Sequence, residues 1–291
     1  MGVPGQASRL TVRPSSRWLT TASTSTVACP AGRSCRRAVS ALAVMHHGHM
    51  RERSSDSAQL EELLSSSWPG LKVSDRMSGG ARTEVWSGFL RDRAIVLRYS
   101  SRSDDSRTWE WNLLERLTVA GIRVPRLVPT TDGVLDVSGW HVYPYVEGRE
   151  PDADDPRLLG TLRAVHAETV GWPQRPRSVS ASTLLTSNSG GDVDLTRMPT
   201  DLVEALRDAW RSAMDTHPSS VVHGDCGPRN ALIDAEGRCV LIDWDEARVD
   251  APLFDLPTND LERRAGLAWE IATCWCTEPS YARSLVGQLM R

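Results

Sequence analysis

Residues 221–245 contain three polar side chains whose types and spacing suit the transfer of a phosphoryl group. Asp225 follows an apolar pair and a His-Gly dipeptide, and Asn230 comes five positions later. Two short apolar runs follow, and Asp243 comes directly after the second of them. A carboxylate in such a loop can take the proton of a hydroxyl group. Asparagine and aspartate oxygens can hold a Mg²⁺ ion that also binds phosphates. The stretch therefore predicts a site where a hydroxyl group meets a Mg²⁺-bound phosphate.

The chain between Asn230 and Asp243 predicts the element that brings these two residues together. A short apolar run at 231–233 is followed by a turn at 234–237 and a second apolar run at 239–242. Two apolar runs separated by a glycine-containing turn are typical of a β-hairpin. Such a hairpin would fold Asp243 back beside Asn230.

The order of these residues matches the kinase catalytic loop, H-x-D-x-x-x-x-N, followed by a metal-binding aspartate after the next hairpin. The letters HGDCGPRN and LIDWDEA resemble the aminoglycoside phosphotransferase and choline kinase superfamily, in which HGD stands where protein kinases have HRD. The resemblance implies that Asp225 is the catalytic base and that Asn230 and Asp243 hold Mg²⁺. We assign His223 to the same catalytic loop, as a brace rather than as a proton carrier.

The resemblance also implies a fold, a set of cofactors and a partner. We expect an α+β, protein-kinase-like fold with an N-lobe at 57–147, which contains an antiparallel sheet and one helix, and a mostly helical C-lobe at 148–291. Residues 1–56 are predicted to be a disordered extension, and Met45 or Met50 is a candidate start of the functional protein. The expected cofactors are ATP and Mg²⁺. The expected partner is a small-molecule hydroxyl acceptor.

Two features of the predicted N-lobe fit the binding of nucleotide phosphates. Gly79 and Gly80 lie in a turn between two predicted strands, where glycines let backbone N–H groups approach phosphates closely. Arg98 stands where the third strand of a kinase carries its phosphate-pairing lysine. An arginine there keeps the positive charge and offers two N–H donors to phosphate oxygens. An exposed strand arginine is the competing interpretation.

Three further residues complete the predicted nucleotide site. The resemblance favours Glu110, on a helix predicted at 106–120, as the carboxylate that pairs with the cation of the third strand. A solvent-facing glutamate is the alternative. The run that ends at Glu147 resembles the interlobe hinge, where backbone groups hold adenine. Pro144 can offer only its carbonyl group there, whereas Val146 can offer its N–H.

The remaining secondary structure follows from apolar periodicity. Residues 171–199 are rich in Pro, Ser, Thr and Gly, and their place before the catalytic loop predicts a lid over the acceptor. The other elements are helices at 59–65, 155–168, 201–214, 261–276 and 279–290 and strands at 71–73, 85–90, 94–99 and 140–145.

Composition excludes several classes of partner. The net charge of −3 and the pI of about 6.2 disfavour nucleic acid and anionic membrane surfaces. No apolar run approaches the roughly 20 residues that a membrane-spanning helix needs. The six cysteines have no spacing typical of a zinc site, which indicates reduced thiols and a cytoplasmic protein. Lys72 is the only lysine, so every other basic side chain is an arginine.

The sequence leaves the acceptor and one alternative function open. Residues 243–278 contain nine acidic residues and three arginines. An acidic cleft would favour an aminoglycoside-type antibiotic or another cationic metabolite, but caps and solvated helix faces explain the same composition equally well. The alternative is a catalytically weak nucleotide-binding or scaffolding relative. The presence of Asp225, Asn230 and Asp243 together argues against it. A protein kinase is disfavoured because Gly224 replaces the arginine that grips an activation-loop phosphate.

Overall fold

A computed structural model describes residues 55–77, 84–214 and 218–291 of the chain. The first helix, α1 (Ser55–Ser65), begins two residues before the predicted start of the N-lobe. The rest of the predicted N-terminal extension lies outside the described residues, and so do Gly79 and Gly80. No helix in these described ranges combines the length and the apolar content needed to cross a bilayer.

The N-terminal part is a four-stranded antiparallel sheet whose strands follow one another in chain order. Its strands are β1 (Leu71–Arg76), β2 (Glu84–Leu90), β3 (Arg93–Tyr99) and β4 (Trp140–Pro144). Apolar residues alternate along β1 and face α1, so that the sheet and the helix enclose one cluster. Its main members are Leu64, Trp68, Leu71, Ile95, Leu97 and Val142.

Helix α2 (Asp104–Val119) connects the sheet to the rest of the molecule. Its buried residues Trp109, Leu113 and Leu117 recur every four positions, which is the period of one helix face. This face packs in a second cluster with α3 (Pro156–Glu168) and with the hairpin that follows the catalytic loop. Helix α2 is therefore held by the same core as this hairpin.

The C-terminal part is mostly helical. Asp155 caps α3 by accepting a hydrogen bond from the backbone N–H of Arg157, and a proline at the first position starts the helix. The other elements are α4 (Ala181–Leu184), β5 (Ser189–Gly190), β6 (Val193–Asp194), α5 (Thr200–Met214), β7 (Ser220–Val222), β8 (Ala231–Ile233), β9 (Cys239–Leu241), β10 (Arg248–Asp250), α6 (Asp260–Cys274) and α7 (Pro279–Leu289).

The segment at 171–199 is built into the C-terminal core and is not a separate lid. It contains α4 and the β5–β6 hairpin, and it buries Val179, Leu184 and Leu195 against α5 and α6. Turn-forming residues predict a long loop here, but the segment contains a short helix and a short hairpin. The apolar side chains between the turn-forming residues anchor the segment.

The hairpin β8–β9 has the predicted position. Ala231 pairs with Leu241, and the Ile242 N–H donates to the Asn230 carbonyl at 2.9 Å. On its outer side, the Ile233 N–H donates to the Arg149 carbonyl at 2.8 Å, just beyond the predicted hinge. The hairpin is thus tied to the chain that links the two parts.

Candidate active site

Asn230 and Asp225 form a hydrogen-bonded pair within the catalytic loop. The side-chain Nδ2 of Asn230 donates to the backbone oxygen of Asp225 at 2.8 Å and to its Oδ2 at 3.1 Å. Because the amide nitrogen faces Asp225, the amide oxygen of Asn230 points the other way. This oxygen is the one atom of the side chain that can bind a cation.

Asp243 lies directly beyond the hairpin, beside Asn230. Its backbone has a φ of 61°, in the left-handed region that aspartate tolerates better than most residues. Its side chain is 41% exposed, so solvent can reach it. The hairpin therefore brings Asp243 next to Asn230, as the spacing predicts.

The glycine of the His-Gly-Asp sequence is required by the backbone. Gly224 has a φ of +83°, and a Cβ atom there would lie 2.4 Å from the carbonyl oxygen of Glu246. A side chain would push the catalytic loop away from the segment that follows Asp243. The absence of the kinase arginine at this position thus has a steric cause.

A buried carboxylate holds the catalytic loop in place. Asp255 accepts hydrogen bonds from the backbone N–H of His223 at 2.7 Å, from that of Gly224 at 2.9 Å and from His166 Nε2 at 2.9 Å. Burial acts to raise the pKa of Asp255, but these donors outweigh it and hold the pKa at about 2. His166 therefore has a structural role, because it helps to hold Asp255 in place.

His223 braces the loop from its other side. Its Nε2 lies 2.9 Å from the carbonyl oxygen of Ile242, and it must carry the proton that it donates there. The ring also packs against Trp244, with 4.8 Å between the centroids. These contacts agree with the predicted bracing role, and the catalytic assignment of His223 stays a prediction.

Arg98 reaches the proposed metal ligand directly. Its Nη2 lies 2.8 Å from Oδ1 of Asp243 and 3.4 Å from Oδ1 of Asp245. Burial acts to lower the pKa of Arg98, but the two carboxylates outweigh it and raise the pKa. Its side chain is only 12% exposed, so the alternative of an exposed strand arginine does not hold.

The predicted pairing of Arg98 with Glu110 differs from the observed contacts. Glu110 is buried rather than solvent-facing, and its Oε2 accepts a hydrogen bond from Nη2 of Arg175 at 2.6 Å. The physical reason is that a second buried cation, contributed by the 171–199 segment, neutralises this carboxylate. Arg98 then turns to the carboxylates beyond the hairpin.

The predicted hinge residues border a small apolar cluster. Val146 packs against Leu232, Val240 and Ile242 of the hairpin. Pro144 is the last residue of β4 and is exposed. An apolar surface under a hinge suits a flat aromatic base, so Pro144 and Val146 stay predictions for adenine binding.

A cavity of about 550 Å³ opens beside Asp245. Arg102 crosses its wall, and Nε of Arg102 donates to Oδ1 of Asp245 at 2.9 Å. Arg177 and Asp192 of the 171–199 segment also line the cavity. The remaining lining is rich in hydroxyl groups, contributed by Ser100, Ser101, Ser103, Ser106 and Thr277.

The donor set fits Mg²⁺ better than a metal held by protein ligands alone. In the described part of the chain, no group of three or more His, Cys, Asp or Glu side chains could hold a metal ion. Mg²⁺ usually takes one or two carboxylates and completes its shell with water and substrate phosphates. Asp243 and the amide oxygen of Asn230 can supply such a partial shell.

Two residues of this site carry no signal in the sequence. Arg175 lies in a segment without periodicity, and the hydrogen bonds of its guanidinium group are all with residues at least 65 positions away. Arg102 follows β3 in a run of Ser and Arg that reads as an ordinary loop. Asp245 is different, because it belongs to the LIDWDEA sequence, which predicts a metal site at the end of the hairpin.

The sheet-and-helix fold, the His-Gly-Asp loop and the aspartate beyond the hairpin together define a phosphotransferase of the protein-kinase-like class. The sequence profile of the phosphotransferase enzyme family matches residues 77–282, and the chain belongs to that family. No curated protein matches the chain at a significant level. The predicted family, the α+β kinase-like fold and the enzyme class of small-molecule kinase are confirmed.

Solved structures with the same fold share little sequence with this chain. A thermostable mutant of aminoglycoside phosphotransferase APH(4)-Ia, in ternary complex with AMP-PNP and hygromycin B, is 15% identical, with a TM-score of 0.57 over 79% of this chain and 97% of that one. Choline kinase LicA from Streptococcus pneumoniae is 15% identical, with a TM-score of 0.53 over 81% and 100%. Macrolide 2'-phosphotransferase type I is 19% identical, with a TM-score of 0.54 over 83% and 99%.

Proposed function

We propose that this enzyme transfers the γ-phosphoryl group of ATP to a hydroxyl group of a small molecule. The observation that carries the proposal is the contact chain from Asp225 through Asn230 to the hairpin that ends at Asp243. One structural neighbour was crystallised with AMP-PNP, which supports a nucleotide as the donor. In this proposal residues 57–147 bind the nucleotide, and residues 148–291 supply the catalytic loop and the acceptor site.

The roles of the central residues follow from their contacts. Asp225 would accept the proton of the acceptor hydroxyl as its oxygen attacks phosphorus, and Asn230 holds the Asp225 carboxylate in place. Asp243 and the amide oxygen of Asn230 would hold Mg²⁺, which neutralises charge on the phosphates when it is bound. Because no covalent step on the protein is needed, the residues act by positioning and by charge stabilisation.

The acidic stretch at 243–278 has mainly structural partners. Asp250 pairs with Arg248, Asp255 holds the catalytic loop, and Asp260 pairs with Arg263. Glu262 accepts hydrogen bonds from Thr258, and Glu270 accepts one from Tyr281. Five of the nine acidic residues in the stretch therefore have structural partners.

The charges in the cavity are balanced, since its lining contains two arginines and two aspartates together with several hydroxyl groups. We propose that this cavity binds a hydroxyl-rich part of the acceptor, while the hydroxyl group that reacts lies at Asp225. A screen for the acceptor should also include cationic compounds such as aminoglycosides, because one structural neighbour was crystallised with hygromycin B.

A second candidate function is a nucleotide-binding relative with little turnover. The observation that favours it is the Arg98–Asp243 ion pair, which engages the carboxylate that Mg²⁺ needs. Acceptor-dependent ADP release separates the two candidates. We expect ADP release with at least one compound in a screen of aminoglycosides, macrolides, choline, amino sugars and homoserine. ADP formation at the background rate with every compound would favour the second candidate.

Arg98→Ala should weaken the binding of Mg·ATP by roughly 10- to 100-fold, the usual effect of losing a charged hydrogen-bonding partner. The reason is that Arg98 is the cation placed between the sheet and the two carboxylates of the metal segment. Calorimetric titration with AMP-PNP measures this affinity. Lys72→Ala is the matched control, because Lys72 is 58% exposed and pairs with Glu61 on α1. Equal nucleotide affinity for Arg98→Ala and wild type would move the phosphate contact elsewhere.

A further inference from the structure

The fully buried side chain of Arg175 connects its own segment to α2 and to the backbone that follows Asp243. Its side chain is 1% exposed and lies in the segment between α3 and α4. Towards α2, its Nε donates to Oγ of Ser106 at 2.8 Å and its Nη2 donates to Oε2 of Glu110 at 2.6 Å. The guanidinium also lies 5.4 Å from the ring centroid of Trp109, another α2 residue.

On its other side, Arg175 holds the backbone that follows Asp243. Its Nη1 is within hydrogen-bond reach of the carbonyl oxygens of Trp244 at 3.0 Å, Asp245 at 2.9 Å and Ala247 at 3.3 Å. Converging carbonyls make a site that suits the planar, multi-donor guanidinium. A lysine carries the same charge as a single point and cannot reach both sides.

We propose that Arg175 is the positioning residue of the metal site. It fixes the carbonyl groups of the two residues after Asp243, and thereby holds Asp243 in its left-handed backbone conformation. The proposal rests on the proposed function of Asp243 as the Mg²⁺ ligand. Partners that orient a metal ligand commonly change metal affinity by about 10- to 100-fold when they are lost.

The sequence predicts one ion pair, between Arg98 on β3 and Glu110 on α2, but the structure contains two arginines with separate partners. Glu110 neutralises Arg175, while Arg98 faces Asp243 and Asp245. Helix α2 is consequently coupled to the metal segment by contacts that need no nucleotide. The role predicted for Glu110 in nucleotide binding then acts through Arg175.

The test is the Mg²⁺ concentration that gives half-maximal AMP-PNP binding, measured by calorimetry on the full-length protein. Arg175→Lys should raise this midpoint by about 10- to 100-fold. Saturating Mg²⁺ should restore the nucleotide affinity, which a general structural defect would not allow. Arg207→Lys is the matched control, because Arg207 binds the carbonyl groups of Leu184 and Ser187, away from the metal segment. Its midpoint should equal that of the wild type.

Glu110→Gln gives an independent arm, which also decides the question if Arg175→Lys fails to fold. It removes the charge that neutralises Arg175, so the midpoint should rise in the same direction. The inference is overturned if folded Arg175→Lys has the same midpoint as the wild type. If Arg175→Lys does not fold, a wild-type midpoint in Glu110→Gln overturns the inference instead. A loss that saturating Mg²⁺ does not restore overturns it as well. A wild-type protein whose nucleotide binding is independent of Mg²⁺ contradicts the proposed function instead.

Discussion

Asp225→Asn should lower the rate of phosphoryl transfer by roughly 10²- to 10⁴-fold, the usual contribution of general acid–base catalysis. Asparagine keeps the shape of the side chain and one oxygen that can accept the hydrogen bond from Asn230 Nδ2. It cannot take the proton of the acceptor hydroxyl. The variant should therefore stay folded and bind Mg·ATP like the wild type.

ADP release with an established acceptor measures this effect. Asp260→Asn is a suitable control, because Asp260 is 96% exposed at the start of α6, where it pairs with Arg263. Its rate should match the wild type. Turnover at the wild-type rate in Asp225→Asn would show that another group accepts the proton.

Asp255→Asn should lower the free energy of unfolding by about 3–5 kcal/mol, the usual cost of breaking a buried charged network. The two oxygens of Asp255 accept hydrogen bonds from three donors, on His166, His223 and Gly224. An amide in this place must turn its own N–H₂ group towards at least one of these donors. The loop that carries Asp225 should loosen as a result.

Urea unfolding at several pH values measures the contribution of Asp255. Its pKa is about 2 in the folded protein and about 3.9 in an unfolded chain. A lowered pKa stabilises the fold above the unfolded value, and this stability is lost as the pH falls through the folded value. The difference between wild type and Asp255→Asn should therefore be full above pH 4 and shrink towards pH 2. A difference below about 1 kcal/mol at pH 7 would contradict the bracing role.

The sequence was sufficient to predict the parts of the fold and the site whose chemistry and geometry depend on neighbouring residues. The five-residue spacing from Asp225 to Asn230 and the hairpin before Asp243 involve neighbouring residues only, so residue type and turn signals predict them. Apart from the four-residue α4, which the sequence did not predict, the helices of the described ranges were predicted to within about four residues at each end, because apolar periodicity reports which face is buried.

These local patterns cannot predict contacts between distant parts of the chain. The Arg98–Asp243 pair joins residues 145 positions apart, and nothing in either local sequence distinguishes this partner from Glu110. Arg175 was missed for the same reason. The composition of the 171–199 segment predicts a lid, because its isolated apolar side chains have no periodicity that would indicate their burial.

The central claim is that Asp243 binds the metal of the nucleotide while Asp225 acts on the acceptor. Calorimetric titration of AMP-PNP, with and without Mg²⁺, into wild type, Asp225→Asn and Asp243→Ala tests it most directly. Wild type and Asp225→Asn should bind the nucleotide much more tightly with Mg²⁺, whereas Asp243→Ala should bind equally with and without the metal. The same dependence on Mg²⁺ in Asp243→Ala as in the wild type would contradict the account.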